Sequence, residues 1–103
     1  MTAVDDVLVA LADPTRRQIL DAVAARGSVT ASVLAEVFPV SRQAIVKHLA
    51  VLERAGLVEA RRAGREVLFG VCSGPLDATA TWMAGLAAEW DRRLTAIKRI
   101  AEF

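Results

Sequence analysis

Apolar residues recur along this chain with two different periods, and each change of period marks a new element. Val4, Val7, Leu8 and Leu11 fall at i, i+3, i+4 and i+7, one face of a short amphipathic helix that ends before Asp13-Pro14. Asp13 then restarts the helix as an N-cap, and Pro14 at the first helical position gives up a donor that had no partner. This second helix runs to about Arg26, with Ile19, Leu20, Val23 and Ala24 inward and Gly27 as its stop. Ser28-Val29-Thr30 is a short extended link, and Thr30 caps a third helix, Ala31 to Phe38, whose inward residues are Leu34, Val37 and Phe38. Pro39 ends it. Ser41 caps a fourth helix that continues to Ala55 and stops at Gly56, with Ile45, Leu49 and Leu52 as its buried stripe. The period then shortens: Leu57 to Arg62 and Glu66 to Val71 are extended runs rich in Val, Leu and Phe, joined by Ala63-Gly64-Arg65 as a β-hairpin. Gly74-Pro75 breaks the second strand, and one long helical pattern of about 27 residues, roughly 40 Å, fills the remainder from about 76 to 102.

The predicted fold is mainly α with a small β-hairpin, a winged helix-turn-helix spanning 1–103 as one domain with its wing at about 57–71. A tight turn joins the third and fourth helices. At 100° per residue, the face of the fourth helix opposite Ile45, Leu49 and Leu52 holds Gln43, Lys47, Ala50 and Arg54, with Arg42 and Val46 on the flank. These side chains suit a DNA groove. Gln43 can read an adenine edge, Arg42 or Lys47 can donate to guanine or to phosphate, Val46 can meet a thymine methyl, and Ala50 allows close approach. His48 lies at the boundary of the core stripe, where it packs or reaches a phosphate, and Ser41 caps the helix at the end that enters the groove. Arg61, Arg62 and Arg65 give the hairpin a basic tip for phosphates or a minor groove.

Charge sharpens this picture. The net charge of the 103 residues is only +1, which argues against a general polyanion binder, yet residues 41–65 carry six bases against two acids, +4, while residues 1–40 sum to −2 and 66–103 to −1. The basic stretch coincides with the fourth helix and the wing. A basic amphipathic helix alone reads as a solvated surface; helix-turn-helix, basic hairpin and local charge in consecutive segments point together to double-stranded DNA.

The remaining composition mostly excludes. One Cys, one His and no Tyr cannot furnish a nucleophile-base-orienter set, so no catalytic residue and no cofactor is expected. Cys72 has no partner for an internal disulfide and reads as a small buried hydrophobe. The first eleven residues lack a basic n-region and a long apolar run, so neither a signal peptide nor a membrane span is expected, and the location read from sequence is cytoplasmic.

The stretches Ala10-Leu11-Ala12-Asp13-Pro14-Thr15-Arg16-Arg17-Gln18-Ile19-Leu20 and Ser41-Arg42-Gln43…Lys47-His48-Leu49…Leu52…Ala55-Gly56-Leu57-Val58 resemble the ArsR family of bacterial winged-helix repressors over nearly the whole chain. The resemblance implies a homodimer, paired through its first and last helices, that sets two recognition helices in successive major grooves of a partly palindromic operator and is released by an inducer, which the sequence does not identify. The family's metal sensors use cysteines on the third helix or His and acidic residues on the last. Here the third helix has no Cys and the last no His, so the chain is similar to the metal-independent branch and no metal is expected.

Along the last helix Ala80, Met83, Ala87, Trp90, Leu94, Ile97 and Ala101 step by three and four, the rhythm of a helix packed along another helix, and Trp82, Leu86 and Ile100 widen the stripe. This is more apolar surface than a small core needs. It predicts a homodimer interface of Trp82, Met83, Leu86, Trp90, Leu94 and Ile97 with Val4, Val7, Leu8 and Leu11 of the first helix; the alternative is that the helix folds back onto its own core. A small molecule entering between the last helices near Trp82, Met83 and Trp90 is a weaker reading than packing. Two functional alternatives stand beside the repressor: a winged-helix module that binds a protein, and a repressor that responds to oxidants through Cys72.

Overall fold

The computed structural model describes residues 2–102 and contains, in chain order, α1 (Ala3–Leu11), α2 (Pro14–Arg26), α3 (Ala31–Val37), α4 (Arg42–Arg54), β1 (Val58–Ala63), β2 (Glu66–Val71) and α5 (Gly74–Ala101). Side chains set most helix starts. Asp13, Thr30 and Ser41 accept from the backbone N–H groups of Thr15, Val33 and Ala44 at 2.7, 3.1 and 3.1 Å, as their residue types foretell. Thr2 and Asp5 add a reciprocal capping box at α1 that the apolar period does not reveal. At the other end of α4, Gly56 takes φ +77°, its N–H donates to Glu53 O, and Leu57 N–H donates to Leu52 O, both at 2.9 Å. This is a Schellman closure, sealed by the fully buried pair Leu52 and Leu57.

Helices α1 to α4 and the base of the hairpin enclose one core, in which Val7, Ile19, Val23, Leu34, Ile45, Leu49, Leu52 and Leu57 are essentially inaccessible. Two expected core residues are not there. Ala24 is exposed because it lies about 90° from the centre of the Ile19-Leu20-Val23 stripe, and Val37 is exposed because the inward face of α3 is Ala31, Leu34 and Ala35. Phe38 has already turned extended and packs only partly on the core. A third expectation changes more: Val7 is fully buried within its own chain together with Ala10, so it supports the monomer core and cannot face a second subunit.

The hairpin pairs β1 and β2 antiparallel from Val58↔Val71 to Ala63↔Glu66. Ala63 therefore belongs to the ladder and the turn has two residues, Gly64 and Arg65, rather than three. Gly64 has φ +63° while no described non-glycine residue has positive φ, the sign pattern of a type II′ turn. The extended link also joins the sheet: Val29 and Phe69 exchange backbone bonds of 3.1 and 2.8 Å, which ties the wing to the end of α2. Helix α5 starts at Gly74, with Pro75 in its first turn where a missing N–H costs nothing.

The Asp13-Pro14-Thr15-Arg16-Arg17 segment has a structural role. Arg16 Nε donates to Ala10 O at 2.7 Å and its Nη2 to Val9 O at 3.0 Å, while Arg17 donates to Leu11 O. The Ala10 and Leu11 carbonyls have no backbone donor at the end of α1, while Val9 O also accepts from Ala12 N–H, so Arg16 closes α1 while sitting in the first turn of α2. Its side chain is only 16% exposed. Arg16→Ala should lower the unfolding free energy by about 2–3 kcal/mol, since its charge-assisted bonds are lost and the carbonyl of buried Ala10 is left without a donor; an unchanged denaturation midpoint in urea would refute this.

Asp13 at the same junction titrates below the usual carboxylate range, chiefly because the Thr15 N–H bonds to its charged form and then because of Arg16, with a lesser contribution from the His48 charge. A depressed folded pKa stabilises the fold above the unfolded value near 3.9 and the gain disappears as pH falls through the folded value. Asp13→Asn keeps the cap without the charge, so its melting temperature should fall less steeply than wild type as pH drops below about 4. Parallel curves for the two proteins in differential scanning calorimetry would count against the assignment.

Helix α5 has 28 residues, about 42 Å, and runs far past the body it starts from. The molecule measures 69 × 25 × 25 Å, and its radius of gyration, 18.4 Å, exceeds the roughly 13 Å of a compact chain this long. Only Thr79 of α5 is buried; Leu76 and Leu86 are partly covered, and every residue from Trp90 to Glu102 is exposed. Only the first part of the helix meets the body, where α5 packs on α1 and Leu76 joins the core; the stretch from Trp90 onward lies clear of it. Among the described residues no helix is long and apolar enough to cross a membrane.

Candidate nucleic-acid interface

Helix α4 meets the core through Ile45, Leu49 and Leu52, and this fixes what it offers to solvent. Ser41, Arg42, Gln43, Val46, Lys47 and Arg54 are all exposed, while Ala50 is half-buried. Gln43 and Lys47 are one turn apart on the outward row, with Arg42 and Val46 on the flank toward α3 and the wing. Arg54 shares the row from the far end of the helix, about 18 Å along the axis from Arg42, where its charge also complements the helix dipole. His48 leaves this row. It is half-buried on the opposite flank, at the margin of the core stripe where its angle on the helix places it.

The wing arginines separate. Arg61 pairs across the ladder with Leu68 and Arg62 with Val67, and successive side chains of a strand point to opposite faces. Arg62 shares the face of Val67 and Phe69, which looks toward α4; Arg61 shares the face of Glu59 and Leu68, which looks away. Arg65 sits in the turn. Arg61, Arg62 and Arg65 are all exposed, yet Arg61 and Arg62 cannot grip from the same side.

Between these parts lies a cleft of about 430 Å³, walled by Thr30, Ala31 and Ser32 at the start of α3, Arg42 and Val46 of α4, and Arg65 to Val67 of the wing, with Phe69 behind. Arg42 Nε donates to Ser32 Oγ at 3.1 Å across it. Sequence reasoning missed the cleft and Ser32, because nothing in a period or a motif joins residues ten apart on different helices.

Cys72 is half-buried, and its thiol is pushed up by burial and by the neighbouring Glu59, opposite to the thiolate character that a redox-responsive cysteine needs. Among the described residues no group of three or more His, Cys, Asp or Glu is arranged to hold a metal ion.

The proposed interface residues divide between two surfaces. On α1, Val4 and Leu11 are half-buried and Leu8 is exposed beside Val9. On α5, Trp82, Met83, Trp90, Leu94 and Ile97 are between 45% and 63% exposed, Ile100 reaches 75%, and Leu86 is partly covered. Contiguous apolar rows of this kind are rare on monomers and mark interaction surfaces.

Comparison with known proteins points the same way. A helix-turn-helix domain family model matches residues 11–61. The transcriptional repressor SdpR of Bacillus subtilis (strain 168) is 32% identical over 90 residues, 87% of this chain and 99% of the repressor. Among solved structures, an ArsR-like transcriptional regulator from Rhodococcus sp. RHA1 is 46% identical and superposes with a TM-score of 0.86 over 96% of this chain and 92% of its own. The homodimeric winged helix-turn-helix DNA-binding domain of Mb0332 from Mycobacterium bovis is 30% identical, with a TM-score of 0.65 over 89% of this chain and 82% of that one.

Proposed function

The chain belongs to the ArsR family of winged helix-turn-helix transcriptional regulators, a DNA-binding bacterial regulator and not an enzyme, and from that premise we propose that it is a cytoplasmic homodimeric repressor acting as a single domain on a palindromic operator. Each subunit inserts the N-terminal part of α4 into a major groove, with Gln43 and Lys47 toward base edges, Val46 toward a thymine methyl, and Ser41 and Arg42 at the backbone. Arg62 and Arg65 of the wing hold phosphate or the adjoining minor groove, and Arg61 and Arg54 lie at the margin. Pairing of α1 and α5 through Leu8, Trp82, Met83, Leu86, Trp90, Leu94 and Ile97, flanked by Val4 and Leu11, sets the two recognition helices about one turn of DNA apart. Bound this way, the protein blocks a promoter, and a signal or inducer that alters the pairing releases it.

The observation that carries this reading is the coexistence of an exposed polar-basic row on α4 and an exposed apolar row on α5. One row suits DNA, and the other suits a second copy of the chain. The SdpR and Mb0332 similarities add support, the first for repression and the second for pairing. The test is selection of bound duplexes from a genomic pool in the presence of competitor DNA. An inverted repeat with half-sites about one helical turn apart is expected, with affinity falling steeply with salt; recovery of no enriched site, or of a single unpaired half-site, would overturn it.

A further inference from the structure

The charges around the cleft between α3, α4 and the wing are Arg42, Arg65 and Glu66. On the wing side the cleft carries Arg65 at the turn, with Glu66 after it on the strand face that looks away from α4. Arg42 is the cation on the helix side. An exposed arginine normally samples many rotamers, and ordering it on binding costs affinity. Here it is already tethered, because Nε donates to Ser32 Oγ at 3.1 Å from the first turn of the neighbouring helix. With Nε so occupied, the two terminal amino groups remain as a free planar fork, the end of the guanidinium that binds phosphate oxygens in pairs. Ser32 is not needed for anything else: Thr30 caps α3, and Ser32 is exposed.

We propose that Ser32 is a positioning residue for DNA binding, one that fixes Arg42 across the cleft so that its fork meets a single backbone phosphate lodged between α4 and the wing. This rests on the DNA-binding reading above and adds a residue outside the recognition helix to it. Because the contact is to phosphate, it strengthens binding to every sequence and adds one unit of charge to the salt dependence.

The experiment is a double-mutant cycle on Ser32→Ala and Arg42→Ala, read by fluorescence anisotropy with a labelled duplex carrying the selected site, over a series of salt concentrations. Ser32→Ala should weaken binding about three- to tenfold and lower the salt slope by up to about one, with an unchanged melting temperature. In the Arg42→Ala background it should cost nothing more, and Ser32→Thr, which keeps the hydroxyl, should restore wild-type binding and slope. Losses that simply add, or a Ser32→Thr variant as weak as Ser32→Ala, overturn the positioning role while leaving the proposed function intact. A wild-type protein that binds no selected site overturns both.

Discussion

A chain carrying Leu94→Asp and Ile97→Asp is expected to be monomeric at micromolar concentration and to bind its selected DNA site about 100-fold or more weakly than wild type. Leu94 and Ile97 are 63% and 62% exposed, in the stretch of α5 where every residue from Trp90 to Glu102 stands clear of the body. Covering such side chains is worth roughly 1 kcal/mol or more each, and in a two-fold interface each residue counts twice. Aspartate reverses the sign: a carboxylate left unpaired in a closed seam costs about 3–5 kcal/mol. The DNA loss follows from valency, because a second recognition helix tethered to the first multiplies affinity by about 10² to 10⁴. The substituted positions lie outside the core, so helix content should persist in circular dichroism. Sedimentation that still gives the mass of two chains would refute the α5 interface, and full affinity in a proven monomer would refute the coupling of pairing to DNA binding.

The Gln43→Ala, Lys47→Ala double variant should lose about 2–6 kcal/mol of operator binding, roughly 30-fold to more than 10⁴-fold, while its dimer and its melting temperature stay unchanged. Both side chains are exposed, one turn apart, on the row that the buried Ile45-Leu49-Leu52 stripe forces outward. The pattern of loss matters as much as its size. Base-edge contacts are lost selectively, so the preference for operator over random DNA should collapse toward the nonspecific level, whereas removing Arg62 or Arg65 should weaken all sequences alike. Operator affinity equal to wild type, or an equal loss on random DNA, would remove α4 from the role of reader.

Much of this molecule was legible in the order of its residues. Helices α1 to α4, their caps at Asp13, Thr30 and Ser41, and the Gly56 stop follow from local chemistry, because a cap or a left-handed glycine acts within four residues of itself. The α4 face follows from the 3.6-residue period alone. Errors gathered where a side chain's neighbour comes from elsewhere in the chain. Val7 belongs to the same apolar stripe as Leu8, yet one is buried at 0% and the other 37% exposed, because α2, α4 and α5 arrive on only one side of α1. His48, by contrast, is half-buried at the margin of the core stripe, as its angle on α4 predicts.

The opposite faces of Arg61 and Arg62 needed only the alternation of a strand, but which face looks at α4 required the hairpin to be docked through Val29 and Phe69. The same holds for Arg16, whose place in a motif is visible in sequence while its bonds to the α1 carbonyls are not. The sequence by itself determined the elements, the basic row and an apolar surplus in α5, since periodicity and capping depend on near neighbours. Only the tertiary structure decided that the surplus extends away from its own core, that Val7 faces that core rather than a second chain, and that Ser32 holds Arg42 across a cleft, because each depends on the distance between segments that the chain order leaves free.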